Sequence, residues 1–130
     1  MDDAGTEHRI FDSMVIVEVF DSVGTEGTPL FPRRTDGSID PFLRAKLYNR
    51  IERLEKLNGM CYAWWRKETE KITEDYVASA KEQLRFVNSF ATDGSYLASD
   101  ILGSDTLSAV DIALFPFAEN WLCSDDTLLS

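Results

Sequence analysis

The chain has 130 residues, 44% of them hydrophobic and 28% charged, which suffices for one globular domain with a core and is too short for two ordinary ones. This composition excludes an intrinsically disordered chain. The formal net charge of −10 argues against a nucleic-acid partner, because phosphates would be repelled over most of the surface. Residues 33–67 are the exception, with nine basic and four acidic residues, and this segment is the one expected to attract a small anion.

Neither a metal site nor a disulfide framework is predicted. The chain has two cysteines, Cys61 and Cys123, far apart in sequence, and a single histidine, His8, which we expect at the surface. The first residues lack the features of a signal peptide, and no apolar run approaches the ~20 residues of a membrane-spanning helix. The sequence therefore predicts a cytoplasmic protein with no membrane contact.

The first predicted elements are a short strand at residues 8–11 and a helix that follows it. The run after Asp12 and Ser13 is rich in β-branched residues, which favour a strand. Either Asp12 or Ser13 is a natural helix N-cap, however, and the polar residues of the run fall on one side of a helical projection. We therefore predict a short helix. The glycine- and proline-rich residues 24–38 then form a linker, whose docking residues are Leu30 and Phe31.

Two longer helices are predicted in the middle of the chain. The first begins at Asp40-Pro41, a cap followed by a proline at the first helical position, and ends at Asn58-Gly59. Its apolar residues recur every three or four positions, at Leu43, Leu47, Ile51, Leu54 and Leu57. The second begins near Thr73 and stops near Gly94, and residues 96–100 then form a loop.

The last predicted helix begins at a capping box. Ser108 is the N-cap, and Asp111, three residues on, can accept from the Ser108 N–H while Ser108 Oγ accepts from the Asp111 N–H. Leu107 and Ile112 have the spacing of a hydrophobic staple. The residues that follow are apolar on all sides, which is typical of a helix surrounded by other elements, so every other segment is expected to pack on it. Pro116 is unusual inside such a helix.

The N-terminus of the first helix is the best candidate site from physical chemistry. A helix start has free N–H groups and a partial positive charge, so a ligand carboxylate can bind the Ser13 Oγ and backbone N–H while Asp12 pairs with an ammonium group. A zwitterionic amino-acid end fits both side chains. The alternative is a plain N-cap without a ligand.

A second candidate site is a substrate pocket that includes Arg50, Tyr62 and Trp65. Arg50 interrupts an apolar stripe, so it could face an anionic ligand, or its stem could pack while its head reaches solvent. The aromatic residues could line an apolar pocket, or they could belong to the core or to a subunit contact. Neither Cys61 nor Cys123 has a visible activating base, so both are interpreted as small apolar residues.

Five motifs occur in an order that resembles the cytosolic glutathione transferases, most closely the omega-like and plant-type branches. They are residues 12–20 (DSMVIVEVF), 29–32 (PLFP), 44–45 (RA), 96–98 (YLA) and 107–117 (LSAVDIALFPF). The resemblance extends from residue 8 to about residue 122. It implies that Asp12 and Ser13 bind the γ-glutamyl end of glutathione as a substrate, and that Ser108 and Asp111 form the structural capping box of the family.

The resemblance implies a mainly α fold, a glutathione-transferase C-terminal-like helical bundle preceded by the remnant, a strand and a helix, of a thioredoxin-like α/β domain. Residues 1–23 correspond to the remnant, 24–39 to the linker and 40–130 to the helical domain, which lacks the family's last helices. The first β-α-β unit, with the family's catalytic residue, has no counterpart here. No catalytic residue is therefore carried over, and whether this chain is itself an enzyme stays open.

Two functional hypotheses follow. In the first, the chain is a fragment of a glutathione transferase that conjugates glutathione, or transfers thiols, to electrophilic small molecules in detoxification. In the second, it is a non-catalytic glutathione-transferase-like interaction or structural module. Both leave apolar helix faces to be covered, by a homodimer partner or by another protein.

Overall fold

The computed structural model describes Glu7 and residues 12–24, 26–91 and 94–122. The described chain is mainly helical: α1 (Ser13–Val23), α2 (Pro41–Trp65), α3 (Glu74–Asn88), the single turn α4 (Ser99–Leu102) and α5 (Ala109–Leu122), with a 3₁₀ turn at Thr69–Lys71. Within these ranges the β-structure is one isolated bridge, between Arg33 and Ile39. The strand predicted at residues 8–11, His8 and Cys123 lie outside the described residues. No described helix has the length and hydropathy to cross a bilayer.

The helices α1, α2 and α3 each begin where the sequence predicts an N-cap. Asp12 Oδ1 accepts from the amides of the next two residues at the start of α1, and Asp40 Oδ1 does the same at the start of α2. Thr73 Oγ1 accepts from the Tyr76 amide at the start of α3. Each short side chain satisfies amides that have no partner inside the helix. The helical interpretation of the run after Asp12 is thereby confirmed.

The helix ends differ from the predictions. α2 does not stop at Asn58-Gly59, but continues to Trp65. Gly59 is exposed, whereas Leu57 and Cys61 on either side are buried on the packed face of the helix, and their burial offsets the cost of about 1 kcal/mol for a helical glycine. α3 ends at Asn88 rather than near Gly94, and part of the predicted loop at 96–100 belongs to α4.

The core forms around α2 rather than around α5. α3, α4 and α5 all pack on α2, and α5 also contacts α1. The prediction that every other segment packs on α5 is therefore wrong. The first residues of α5, Ala109 and Val110, are fully buried, but Phe115 is 62% exposed. α2 has 25 residues and is ~37 Å long, so several elements can pack on different parts of it. α5 has only 14 residues and is too short to contact all of the other elements.

The linker docks through the residues predicted for it. Phe31 is completely buried and stacks on Tyr48 of α2, with ring centroids 5.6 Å apart. Leu30 is partly buried against the core, and its carbonyl accepts from the amide of Ala109 at 3.0 Å, which joins the linker to the first turn of α5. The linker is thus an integral part of the packed structure.

α1 turns its acidic residues inward and leaves part of its apolar surface in solvent, while Met14 and Val17 pack against the core. Glu18 pairs with Arg44 of α2, and Asp21, whose side chain is 5% exposed, accepts from the amides of Leu30 and Phe31 and from Arg33. The opposite side of the helix leaves large side chains in solvent, including Phe20 at 70% and Val23 at 68% exposure. Val15 and Ile16 extend this surface. We call these four residues the outer face of α1.

Candidate functional site

The N-terminus of α1 places Asp12 and Ser13 together at the surface. Asp12 Oδ1 accepts from Met14 N at 2.9 Å and Val15 N at 3.3 Å. No partner within the described ranges is bonded to Asp12 Oδ2, to Ser13 Oγ or to the Ser13 amide, which is the first N–H of the helix. These three groups are an acceptor and two donors, and they match the ammonium and carboxylate of an amino-acid end.

The backbone of Asp12 has an unusual conformation. Its φ of 77° and ψ of 123° lie outside the left-handed helical region that aspartate tolerates. Such a conformation costs about 1–3 kcal/mol and is concentrated at ligand sites. The conformation directs the chain into α1 with the first helical amide at the surface.

A cluster of Glu18, Arg44 and Tyr48 holds α1 on α2 next to this helix start. Arg44 Nε and Nη2 donate to the two Glu18 oxygens at 2.6 and 2.8 Å, and Tyr48 Oη donates to Glu18 at 2.8 Å. The Arg44 hydrogen bond lowers the pKa of Glu18. Burial and the Glu18 hydrogen bond raise the pKa of Tyr48, and the Asp12 carboxylate adds to this rise, so the helix start is within electrostatic reach of the cluster.

Arg50 points towards α4 and the segment that follows α3. Its Nη1 donates to the Leu97 carbonyl at 2.8 Å and to Asp100 Oδ1 at 2.5 Å, and its Nη2 donates to Asp100 Oδ2 at 3.0 Å. The guanidinium also lies over the Phe90 ring, 4.5 Å from its centroid. The hydrogen bonds from Arg50 lower the pKa of Asp100. Arg50 thus joins α2 to α4 and to the segment that follows α3, and the structure does not bring it together with Tyr62 and Trp65.

Tyr62 and Trp65 line a pocket of about 210 Å³ between the end of α2 and α5. Its other walls are Cys61, Pro116 and Phe117. The Tyr62 ring meets the Phe117 ring edge to face, with centroids 5.3 Å apart, and lies 6.1 Å from the Trp65 ring. The sequence indicated the α2 aromatics, but Phe117 is fifty-five positions further along, and only the extension of α2 past Gly59 brings the two together.

Ser108 and Asp111 form a closed hydrogen-bonded unit at the start of α5. Asp111 Oδ2 accepts from the Ser108 amide at 2.9 Å and from Ser108 Oγ at 2.8 Å, and Ser108 Oγ accepts from the Val110 amide at 3.3 Å rather than from that of Asp111. Asp111 Oδ1 accepts from Leu97 N at 2.8 Å, which ties α5 to the segment before α4. Both carboxylate oxygens of Asp111 are thus occupied by structural contacts.

Two features were not found by sequence reasoning. Asp105 Oδ1 accepts from the amides of Ser95 and Tyr96 and from Ser99 Oγ, and these contacts order the segment around α4. A cleft of about 540 Å³ lies between α1, the linker and Ile112 of α5. An aspartate after a Gly-Ser pair is a weak sequence signal. The cleft has no sequence signal, because its walls come from three separate segments. Nowhere in the described ranges do three or more metal-binding side chains cluster.

No family model, curated protein or solved structure matches this chain.

Proposed function

We propose that the chain is part of a glutathione transferase family protein and that Asp12 and Ser13 bind the amino-acid end of glutathione. The observation that carries this proposal is the exposed start of α1, where Asp12 Oδ2, Ser13 Oγ and the Ser13 amide are directed at no other described group. The order of the five sequence motifs supports it. The thioredoxin-like remnant at 1–23, the linker at 24–39 and the helical domain at 40–130 belong to the same proposal.

The chemistry of this site is recognition of a zwitterion. The γ-glutamyl carboxylate accepts from the Ser13 amide and Oγ and is stabilised by the positive end of α1. The α-ammonium pairs with Asp12 Oδ2, while Oδ1 continues to cap the helix. The parent activity is glutathione conjugation or thiol transfer to electrophilic small molecules. The resemblance transfers no catalytic residue to this chain, so we expect the 130 residues to bind glutathione without catalysing its reaction.

Retention on immobilised glutathione tests the site. We expect the purified chain to be retained and to elute with free glutathione. Ser13→Ala should weaken binding about tenfold or more, because a hydrogen bond to a charged group contributes about 1.5–3 kcal/mol. The matched control is Ser22→Ala, which changes another exposed serine of α1, one whose hydroxyl donates to the Glu18 carbonyl. Retention that is absent, or equal in the two variants, would contradict the proposal.

The second candidate is a non-catalytic interaction module, and the outer face of α1 favours it. Phe20 and Val23 are large apolar side chains that lie mostly in solvent, and Val15 and Ile16 continue the same apolar surface. A homodimer or a second protein that covers this face would remove it from water. If the chain is such a module, the polar side of α1 binds α2 and the linker, and the outer face of α1 contacts the partner.

Co-purification from the native source distinguishes the two functions. A module predicts a partner at fixed stoichiometry that is lost in Phe20→Asp and kept in Phe42→Asp, an equally drastic change at a side chain that is 76% exposed on α2. A transferase fragment predicts glutathione retention in both variants, with no stoichiometric partner.

A further inference from the structure

The cleft between α1, the linker and α5, here called the linker cleft, has apolar walls on three sides. Its volume of about 540 Å³ lies within the range of small-molecule sites in proteins. The apolar side chains are Val17 and Phe20 of α1, Pro29 and Leu30 of the linker, and Ile112 of α5. None of them is fully buried, so an apolar body bound between them would remove all three walls from water.

Leu30 holds the three walls of the linker cleft in place. Its amide donates to Asp21 Oδ1 of α1 at 2.6 Å, and its carbonyl accepts from the Ala109 amide of α5 at 3.0 Å. The Phe31 amide adds a hydrogen bond to Asp21 Oδ2 at 3.3 Å. The walls are therefore fixed relative to one another before a ligand binds, which reduces the entropic cost of binding.

The charges that line the cleft are complementary to a cation. Arg33 is the one cation among the described lining residues, and it is already paired with Asp21: Nη2 donates to the Asp21 carbonyl at 2.6 Å and to Oδ2 at 3.2 Å. The carboxylate of Glu26, in contrast, is exposed and makes no hydrogen bond or ion pair within the described ranges. The lining thus retains one uncompensated negative charge, and the net charge of −10 attracts cations over a longer distance.

The linker cleft is separate from the proposed glutathione site. Its lining residues include neither Asp12 nor Ser13. Phe20 lies seven residues after Ser13, which places it about 10 Å further along the axis of α1. A ligand in the cleft therefore uses side chains that the start of α1 does not supply.

From the volume, the three apolar walls and the unpaired carboxylate of Glu26, we propose that the linker cleft binds a small amphipathic amine, that is, a compact apolar body with one ammonium group. The apolar body lies between Val17, Leu30 and Ile112, and the ammonium group lies at the surface beside Glu26. Binding is reversible and changes no covalent bond. This site does not depend on the function proposed above.

Titration of the full chain with 1-adamantanemethylamine, followed by NMR, tests the proposal. We expect saturable binding at a ratio of one to one, with intermolecular contacts from the adamantyl protons to the methyl groups of Val17, Leu30 and Ile112. These contacts need no variant, so they report on the site even if a substitution unfolds the chain. Saturable binding without such contacts, or no saturation, would overturn the proposal.

A neutral analogue tests the charge. Glu26→Gln should weaken binding of the amine about threefold to fivefold, as for loss of an exposed ion pair, and should leave binding of 1-adamantanemethanol unchanged. The matched control is Glu55→Gln, which removes one negative charge from an exposed position of α2 outside the cleft and should not change the affinity for the amine. Equal effects of the two variants would refute the pairing of the ammonium group with Glu26.

A second pair of variants tests the apolar walls. Ile112→Ala should weaken the amine and the alcohol alike, each about threefold to tenfold, because both lose the same apolar contact. Ile72→Ala, at another half-buried isoleucine outside the cleft, should change neither affinity. Equal losses in the two variants would show that they act through stability alone, and the proposal would fail. Leu30 and Ile112 methyl signals that shift with protein concentration in the absence of amine would assign the cleft to a contact between copies and overturn the proposal.

Discussion

Arg44 donates from Nε and Nη2 to both carboxylate oxygens of Glu18 and thereby joins α1 to the N-terminal part of α2. Tyr48 adds a third hydrogen bond to the same carboxylate and lies under the Arg44 guanidinium, 4.8 Å from ring centroid to Cζ. A two-pronged pair of this kind fixes orientation as well as position. The placement of α1 therefore depends on one carboxylate.

Glu18→Gln should loosen α1. An amide has one acceptor oxygen in place of two and no charge, so the free energy of unfolding should fall by about 1 kcal/mol, a value reduced by the exposure of Arg44. The measurement is urea denaturation at neutral pH. Glu52→Gln, at an exposed position of α2, is the control and should change stability by less than about 0.5 kcal/mol.

The same carboxylate makes stability depend on acid. Because the folded pKa of Glu18 is below 4.5, its contribution is complete above pH 4.5 and is lost as the pH falls through the folded pKa. The stability difference between Glu18→Gln and the unmodified chain should therefore shrink as the pH falls below 4.5. A difference that is constant over this interval would mean that the charge of Glu18 contributes nothing.

Asp111→Ala should be strongly destabilising. The Ser108 amide, Ser108 Oγ and the Leu97 amide all lose their acceptor, and Ser108 is completely buried. Unsatisfied buried donors cost about 1–3 kcal/mol each, and partial rehydration should bring the total to about 2–4 kcal/mol. Thermal unfolding can compare it with Asp75→Ala, which removes an exposed carboxylate from the first turn of α3. Similar losses in both would rule out the closed hydrogen-bonded unit.

The Arg50 and Asp100 pair should show energetic coupling. Arg50→Lys keeps the charge but loses the double contact with Asp100 and the bond to the Leu97 carbonyl. We expect the single changes Arg50→Lys and Asp100→Asn each to lower stability, with a coupling energy of about 1 kcal/mol in the double-mutant cycle. Additive losses would argue against a direct interaction.

Gly59→Ala should stabilise the chain. Gly59 lies inside α2, and a Cβ built on it would meet no atom within 4 Å. Alanine at such a position loses less backbone entropy than glycine, for a gain of about 0.5–1 kcal/mol. A higher urea midpoint with an unchanged m-value is the expected result. A lower midpoint would indicate that α2 is broken at this position.

Stability should fall in alkaline solution. Burial raises the pKa of the Cys61 thiol from 9.0 to about 12 and that of Tyr76 from 10.0 to about 12. The unfolded chain loses these protons at lower pH than the folded chain does. The contribution of the two groups to stability is therefore complete below pH 9 and declines as the pH rises towards 12. Tyr76→Phe, which also removes the hydrogen bond to the Met60 carbonyl, should flatten the decline between about pH 10 and pH 12. An equally steep decline in both chains would refute the Tyr76 contribution.

Helix starts could be predicted from the sequence and helix ends could not. The caps at Asp12, Asp40 and Thr73 depend on hydrogen bonds within three residues, which the local sequence contains. The end of α2 depends on burial against α5, and the glycine at position 59 does not decide it. The number of elements that pack on α5 was overestimated for the same reason. An apolar run shows which side chains favour burial, but it does not specify which other segments pack on them.

The candidate sites follow the same division. Asp12 and Ser13 are adjacent in sequence, so their shared position at a helix start was predictable. Arg50 was correctly marked as unusual within its apolar stripe, but its partner Asp100 is fifty residues away and no local pattern links the two. Phe117, which lines a pocket with Tyr62 and Trp65, could not be linked to them by any local pattern either. Contacts between distant segments depend on the packing angles of α2, α4 and α5, which sequence periodicity does not contain.

The central place of α2 also bears on the order in which the chain folds. The linker and α3 adjoin α2 in sequence and also pack on it, and these contacts close short loops and can form early. α5 and the Arg50 contacts close loops of about fifty residues and come later. Substitutions in the buried stripe of α2 are thus placed to slow folding, whereas loss of the Glu18 pair acts mainly by letting α1 detach from a body already formed.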